Sequence, residues 1–206
     1  MLTDKNALII FQKNKVKGKV KTRLAATVGE ENALNVFKFL VDHTYAISFD
    51  TNAKKFLFFS DFIETSNATT SDFMRMIQQG SGLGERMSNA FQYVFNAGFT
   101  KVIIIGTDCY EINASIINEA FDLLNTNKFV IGPAVDGGYY LLGMTKNTPN
   151  IFENKHWSTD TVYEDTLTDF KNSGATYTKL VVLSDIDTEA DLRELKNLLA
   201  VHLIPG

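Results

Sequence analysis

Asp108, Asp136 and Asp187 each follow a run of apolar residues, and Lys21 and Arg23 end a basic segment behind the first such run. Carboxylates and fixed cations gathered in one place suit phosphate chemistry. Arg grips phosphate oxygens through its planar fork and Lys acts as a point charge. Carboxylate oxygens are hard ligands that hold Mg²⁺ or Mn²⁺, and the metal bridges to phosphate oxygens. Catalysis at such a site is stabilisation of charge on a phosphate leaving group. An isolated strand-to-Asp junction would carry little weight, because Asp is also a favoured turn and cap residue. The recurrence of such junctions makes separate structural explanations costly.

Six of the 20 basic residues, Lys13, Lys15, Lys17, Lys19, Lys21 and Arg23, alternate through a segment that holds none of the 24 acidic ones. In an extended loop all six lean the same way; the alternative is a solvated, mobile loop. Lys21 and Arg23 flank Thr22 and precede Leu24, where the chain returns to packed structure, so these three are the candidates for gripping phosphate. Neither G-x-x-x-x-G-K-[ST] nor a G-x-G-x-x-G directly after the first strand is present, which disfavours those two kinds of nucleotide loop. Gly80, Gly82 and Gly84 precede a helix, an arrangement that lets a ligand approach backbone N–H groups at the positive helix end. Arg86, in the first turn of that helix, either reaches a base, sugar or phosphate or forms a surface ion pair. Asp136, Gly137 and Gly138 make a tight turn, and Asp-Gly between two strands is most often a hairpin. His156 and Trp157 stand just before Ser158 and Thr159, with Trp157 either a core residue or a stacking platform.

Positioning these groups requires a sheet. Val102 to Ile105 are consecutive and β-branched, the pattern of a strand buried on both faces of a parallel sheet. Ala7–Phe11, Lys55–Ser60, Phe129–Pro133, Tyr139–Met144 and Thr178–Ser184 read as further strands, and Phe73–Gln78 as a short one, with Asp61–Asp72 a loop. Leu34, Phe37, Val41 and Tyr45 mark a helix from Gly29 to Ser48, with Ala33, Val36 and Leu40 widening its buried stripe. Leu83 to Val94 mark a second helix, closed by Gly98. Asn113 caps a third, through Leu124. A fourth runs from Ser158 to Gly174, and Thr188 caps the last in the pattern T-x-x-D with Leu192, Leu195 and Leu199 inside. Alternation of strand and helix predicts a doubly wound α/β fold with a mostly parallel sheet, in which ligands sit past the carboxyl ends of the strands.

The 206 residues contain no linker-like stretch, so one domain spanning residues 1–206 is expected. The single cysteine, Cys109, excludes an internal disulfide. No apolar run is long enough for a signal peptide or a membrane span, so a soluble, cytoplasmic protein is expected. A net charge of −4 argues against a general nucleic-acid binder. Nothing in the sequence fixes an oligomeric state.

GKVKTRL, LGERMSNAF, IIIGTDCY, IGPAVDGGYYLLGM, HWST and DIDTEADL, in this order and spacing, resemble a bacterial family first labelled a domain of unknown function, DUF2064. That family is now usually called glycosyltransferase-like, with members assigned to arsenosugar biosynthesis, and resembles the nucleotide-diphospho-sugar transferase (GT-A) superfamily. The resemblance covers nearly the whole chain. It implies that Lys21 and Arg23 belong to the nucleotide-binding loop, that Asp108 is the metal-binding acid, and that Asp187 is a late aspartate near the metal. The chain departs from its relatives at Tyr110, where proline is common, at Lys17-Gly18, where prolines often precede KTRL, and at Gly82, where an acidic or amide residue is usual. No D-x-D motif surrounds Asp108.

The expected activity is therefore metal-dependent transfer of a sugar from a nucleotide-diphosphate-sugar donor to a small soluble acceptor. Asp108 and Asp187 would bind Mg²⁺ or Mn²⁺, with Asp136 and Asp185 the other candidates for the second ligand. Lys21, Thr22, Arg23 and Arg86 would bind the nucleotide, and Gly137, Gly138 and Trp157 the substrate. Asp136 is the candidate general base and His156 the second choice. A nucleotidyltransferase that releases pyrophosphate, and a non-catalytic nucleotide-binding domain, are the alternatives.

Overall fold

The structure, a computed structural model, describes residues 5–64 and 70–202, with side chains as far as Leu195. The expectation for Leu199, and that for residues 65–69 of the polar loop, lie outside the described residues. Strand β1 (Asn6–Gln12) pairs in parallel with β2 (Lys54–Phe59) on one side and β4 (Lys101–Ile105) on the other. β3 (Met74–Ile77) lies outside β2; on the other side β6 (Tyr139–Met144), β5 (Phe129–Pro133) and β7 (Tyr177–Lys179) follow β4, giving the order β3-β2-β1-β4-β6-β5-β7. β6 runs antiparallel to both of its neighbours, and every other pairing is parallel. β4 therefore has one parallel and one antiparallel neighbour, where its apolar run alone predicts parallel ones.

Every residue of β4 is buried because helices cover both faces. On one face α2 (Glu30–Phe49) and α4 (Ala114–Leu123) pack Phe37, Val41, Tyr45, Ile117 and Phe121 against Leu8, Ile103 and Ile105. On the other, α3 (Leu83–Asn96) and α5 (Val162–Asn172) pack Phe91, Val94, Leu167 and Phe170 against Ile9, Val102 and Ile104. Each such side chain contributes roughly 1.5–3 kcal/mol when fully buried. A third cluster joins α1 (Thr22–Val28) and α6 (Glu189–His202) to α2 through Leu24, Leu40, Leu192 and Leu195. Asn113 caps α4 as expected, its Oδ1 accepting from the Ile116 N–H at 3.0 Å. Among the described residues no helix is long and apolar enough to cross a membrane.

Several boundaries move. The basic loop does not run extended: Gly18 turns it with φ +75°, Lys15 pairs with Asp42 and Glu64, and Lys17 pairs with Glu31. The six cations therefore do not share one side. Thr22 opens a short helix that the alternation of charge concealed. The helix read from Ser158 begins at Val162, because Ser158 has φ +65° and the chain is still turning. The last strand is three residues long, and beyond it Leu183 bridges to Ala134 and Asp185 to Cys109. β6 does not alternate, since both of its faces are covered.

The Asp-Gly-Gly segment is the hairpin turn between β5 and β6. Gly137 has φ +86°, and a Cβ there would stand 2.1 Å from the Asp160 carbonyl oxygen. The Tyr163 N–H also donates to the Gly137 carbonyl at 3.0 Å, so the hairpin is seated on the entry to α5. Gly137→Ala combines a left-handed backbone, costing about 1–2 kcal/mol, with a backbone clash, and is expected to lose roughly 2–4 kcal/mol of stability in urea unfolding. A loss below about 1 kcal/mol would show that this turn is not held against α5.

Candidate active site

β1 and β4 lie side by side, yet the chain leaves β1 toward β2 and arrives at β4 from β3. Their carboxyl ends therefore border the crevice where open α/β sheets take ligands. Asp108 follows β4 across this crevice from the loop that follows β1. The Ile186 N–H donates to the Asp108 carbonyl at 2.9 Å, and Cys109 forms an isolated antiparallel bridge with Asp185. These backbone contacts lay the Asp-Ile-Asp segment beside the end of β4 and bring Asp187 to Asp108. Asp191 fixes the segment from behind: its Oδ2 accepts from the Asp187 N–H at 3.0 Å and from the Thr188 N–H at 2.7 Å. The T-x-x-D capping box thus orients a site residue as well as starting α6.

Lys21 joins the two acids. Its Nζ lies 2.6 Å from Asp108 Oδ1 and 2.9 Å from Asp187 Oδ1, with the lysine side chain 3% exposed and the carboxylates 43% and 32%. Arg23 Nη2 reaches the other oxygen of Asp187 at 3.1 Å from a largely exposed position. Lys21 adopts φ 48°, ψ 46°, a left-handed conformation that costs a non-glycine residue about 1–2 kcal/mol. Its carbonyl accepts from the Ala25 N–H at 2.8 Å, so this strained residue starts α1 and turns its side chain inward. Strain of this kind concentrates where surrounding structure imposes it, often at functional sites.

Burial alone would lower the Lys21 ammonium, but the charges of Asp108 and Asp187 and their hydrogen bonds outweigh it and raise it above the usual lysine value. Burial likewise works to raise the Asp187 carboxyl, and the charge and hydrogen bond of Lys21, with Arg23 and Lys13, bring it below its usual value. Half-buried Asp185 is pushed up to about 7, first by desolvation and then by the charge of Asp108 against the opposing pull of Lys21. Burial and the neighbouring Asp185 push the Cys109 thiol up to about 12, which removes it as a thiolate nucleophile or ligand.

An open cleft of about 150 Å³ lies over this group, with Thr22, Lys13 and Phe37 completing its walls. Lys21, Thr22, Arg23, Asp108 and Asp187 are thus brought together. The other expected site residues do not line this cleft. Arg86 donates through Nε to the Gly80 carbonyl at 3.1 Å and so holds the glycine turn. Asp136 is exposed at the hairpin tip, its Oδ1 accepting from the Gly138 N–H at 2.9 Å, yet close enough for its charge to act on Asp185. His156 is exposed. Trp157 stacks on Phe152, with ring centroids 6.3 Å apart, and crowds Gly84, where a Cβ would stand 2.3 Å from the indole nitrogen. Sequence reasoning assigned Lys13 only to the basic run and Phe37 only to the core. The alternation of charge could have flagged the former, and nothing in the helical stripe sets the latter apart.

The residues present fit a divalent cation. Asp108 and Asp187 already converge on one positive centre, and their oxygens are hard ligands. Among the described residues no group of three or more His, Cys, Asp or Glu could hold a metal by protein ligands alone. A bound Mg²⁺ or Mn²⁺ would take its other ligands from water and substrate, as Mg²⁺ usually does.

No curated protein matches this sequence. A protein of Desulfovibrio desulfuricans G20, provisionally described as a nucleotide-diphospho-sugar transferase, superposes with a TM-score of 0.86 at 28% identity, covering 94% of this chain and 87% of that one. The inositol-1-phosphate CTP transferase of T. maritima has a TM-score of 0.62 at 13% identity, over 96% of each chain. Mycobacterium tuberculosis Rv0371c, solved with manganese, has a TM-score of 0.56 at 10% identity, covering 94% of this chain and 98% of that one. The architecture is that of the nucleotide-diphospho-sugar transferases. The model of a bacterial family matches residues 43–159, more than half of the chain, with Asp108 and the Asp-Gly-Gly hairpin inside the match and Lys21, Arg23 and Asp187 outside it. The chain therefore belongs to the family described as uncharacterized protein conserved in bacteria, DUF2064.

Proposed function

We propose that this protein is a metal-dependent transferase that moves a sugar from a nucleotide-diphosphate-sugar donor to a small soluble acceptor. The observation that carries this reading is Lys21 held between Asp108 and Asp187 at the switch point of the sheet. The description of the D. desulfuricans protein supports the donor class, and the manganese in Rv0371c supports the choice of cation. Asp108 and Asp187 hold Mg²⁺ or Mn²⁺, which supplies positive charge to the phosphate oxygens of the leaving group. Lys21, Thr22 and Arg23 bind the diphosphate, and Arg86 keeps the glycine turn in place for the nucleoside. Asp136 accepts the proton of the acceptor hydroxyl, with His156 the alternative. Gly137 and Gly138 shape the acceptor side, and Trp157 borders the donor.

A nucleotidyltransferase reading rests on one specific observation: Lys13, Lys21 and Arg23 all line the cleft, a concentration of positive charge that suits a triphosphate. The two differ in the bond broken. The test is ³¹P NMR of reactions containing Mn²⁺, with nucleotide sugars or nucleoside triphosphates offered to hydroxyl and sugar-phosphate acceptors. Release of nucleoside diphosphate is the expected result. Release of pyrophosphate would transfer the assignment to the second reading, and binding without either product would leave a non-catalytic nucleotide-binding domain.

A further inference from the structure

Lys21 does more than wait for phosphate. Its ammonium satisfies the same two carboxylates that would hold the metal, at 2.6 and 2.9 Å, while Arg23 takes a further oxygen of Asp187. We infer that Lys21 keeps Asp108 and Asp187 closed to a lone divalent cation, so that metal and polyphosphate enter this site as coupled ligands. This rests on the reading of the cleft as a metal and phosphate site.

The argument is one of charge and partners. A divalent cation arriving alone must compete with an ammonium that is almost wholly buried and whose ion-pair partners among the described residues are these two acids. If Lys21 stayed, two cations would share the carboxylates at close range, where like charges repel strongly. If Lys21 left, a desolvated ammonium would lose its counter-ions. Its backbone cannot relieve the conflict, because the Lys21 carbonyl is tied into the first turn of α1. A polyphosphate resolves both difficulties. Its oxygens give Lys21 a new anionic partner and give the metal the ligands that two carboxylates do not supply. The cleft wall beside Lys21, formed by Lys13, Thr22 and Arg23, is where such oxygens find further donors. Coupling is reciprocal, so the factor by which phosphate tightens metal binding is the factor by which metal tightens phosphate binding.

The test is Mn²⁺ binding rather than turnover. Metal-free wild-type protein and Lys21→Met are each titrated with Mn²⁺ alone, reading free ion by EPR. The variant is expected to bind at least tenfold more tightly, and Lys21→Met combined with Asp108→Asn is expected to lose that gain. Equal or weaker binding by the folded single variant overturns the inference. Wild-type protein gives a second reading that does not depend on the variant folding: protein-bound Mn²⁺, seen by water proton relaxation, with and without inorganic pyrophosphate. At least a tenfold increase with pyrophosphate is expected. Equal uptake in both conditions overturns the inference and leaves the metal site standing, whereas no uptake in either overturns both.

Discussion

Asp108→Asn is expected to lower kcat by about 10²–10³, the range seen when one preorganised electrostatic group is removed from a site of developing charge. The substitution is close to isosteric. It leaves the backbone contacts that align this segment, Cys109 with Asp185 and the Ile186 N–H with the Asp108 carbonyl. An asparagine oxygen can still accept from Lys21, so what is lost is a charge and not a shape. The carboxylate is 43% exposed and the buried Lys21 ammonium keeps Asp187 as its counter-ion, so the cost in stability should stay within about 1 kcal/mol. A large kinetic effect beside a small thermodynamic one is the signature of a group acting on the reaction. The measurement is kcat under saturating donor and Mn²⁺, with urea unfolding as the control. A kcat within threefold of wild type would remove Asp108 from the reacting centre, and a fall matched by a large loss of stability would assign it a structural role.

The frame of this fold was legible because its signals are local. Val102 to Ile105 could only be a covered strand, and the amphipathic stripes of α2 and α3 could only face a sheet. The antiparallel insertion of β6 was half legible: Asp136-Gly137 announced a turn, but not that the returning strand wedges between β5 and β4. That placement depends on pairing across the whole chain. The site divides the same way. Asp108 and Asp187 were visible as acids at strand ends, and Lys21 and Arg23 as cations held next to Leu24. Their meeting depends on Lys21 turning inward through a left-handed backbone, while Lys15 and Lys17 spend their charges on Asp42, Glu64 and Glu31. Lys13, Lys15, Lys17 and Lys19 look equivalent in sequence, and only tertiary partners separate them. Asp185 was harder to read, because its raised carboxyl comes from burial and neighbours contributed by distant loops.

The second large effect concerns the scaffold under the donor side. Lys155 follows a single 3-10 turn, Pro149–Phe152, and its side chain is 2% exposed where it pairs with Asp169 of α5, which is 35% exposed. The asymmetry in burial predicts an asymmetry in cost. Asp169→Ala leaves a desolvated ammonium without its counter-ion and is expected to cost about 3 kcal/mol, near the lower end for breaking a buried pair. Lys155→Met replaces the ammonium by an apolar group of similar length and leaves a carboxylate that already reaches water, so its expected cost is about 1 kcal/mol or less. Urea unfolding of both variants measures the difference. Equal costs would mean that packing, and not charge, holds this segment. The local consequence is readable through the one tryptophan of the chain. Trp157 lies two residues beyond Lys155, stacked on Phe152 and pressed against Gly84 at the start of α3. Releasing Lys155 should loosen that contact before the sheet unfolds, so Asp169→Ala is expected to shift Trp157 emission to the red at urea concentrations where β-sheet circular dichroism is unchanged. Coincident transitions would instead make the 149–157 segment one cooperative unit with the sheet. The glycine turn would then be held as rigidly as the strands, and the donor side of the cleft would be preformed.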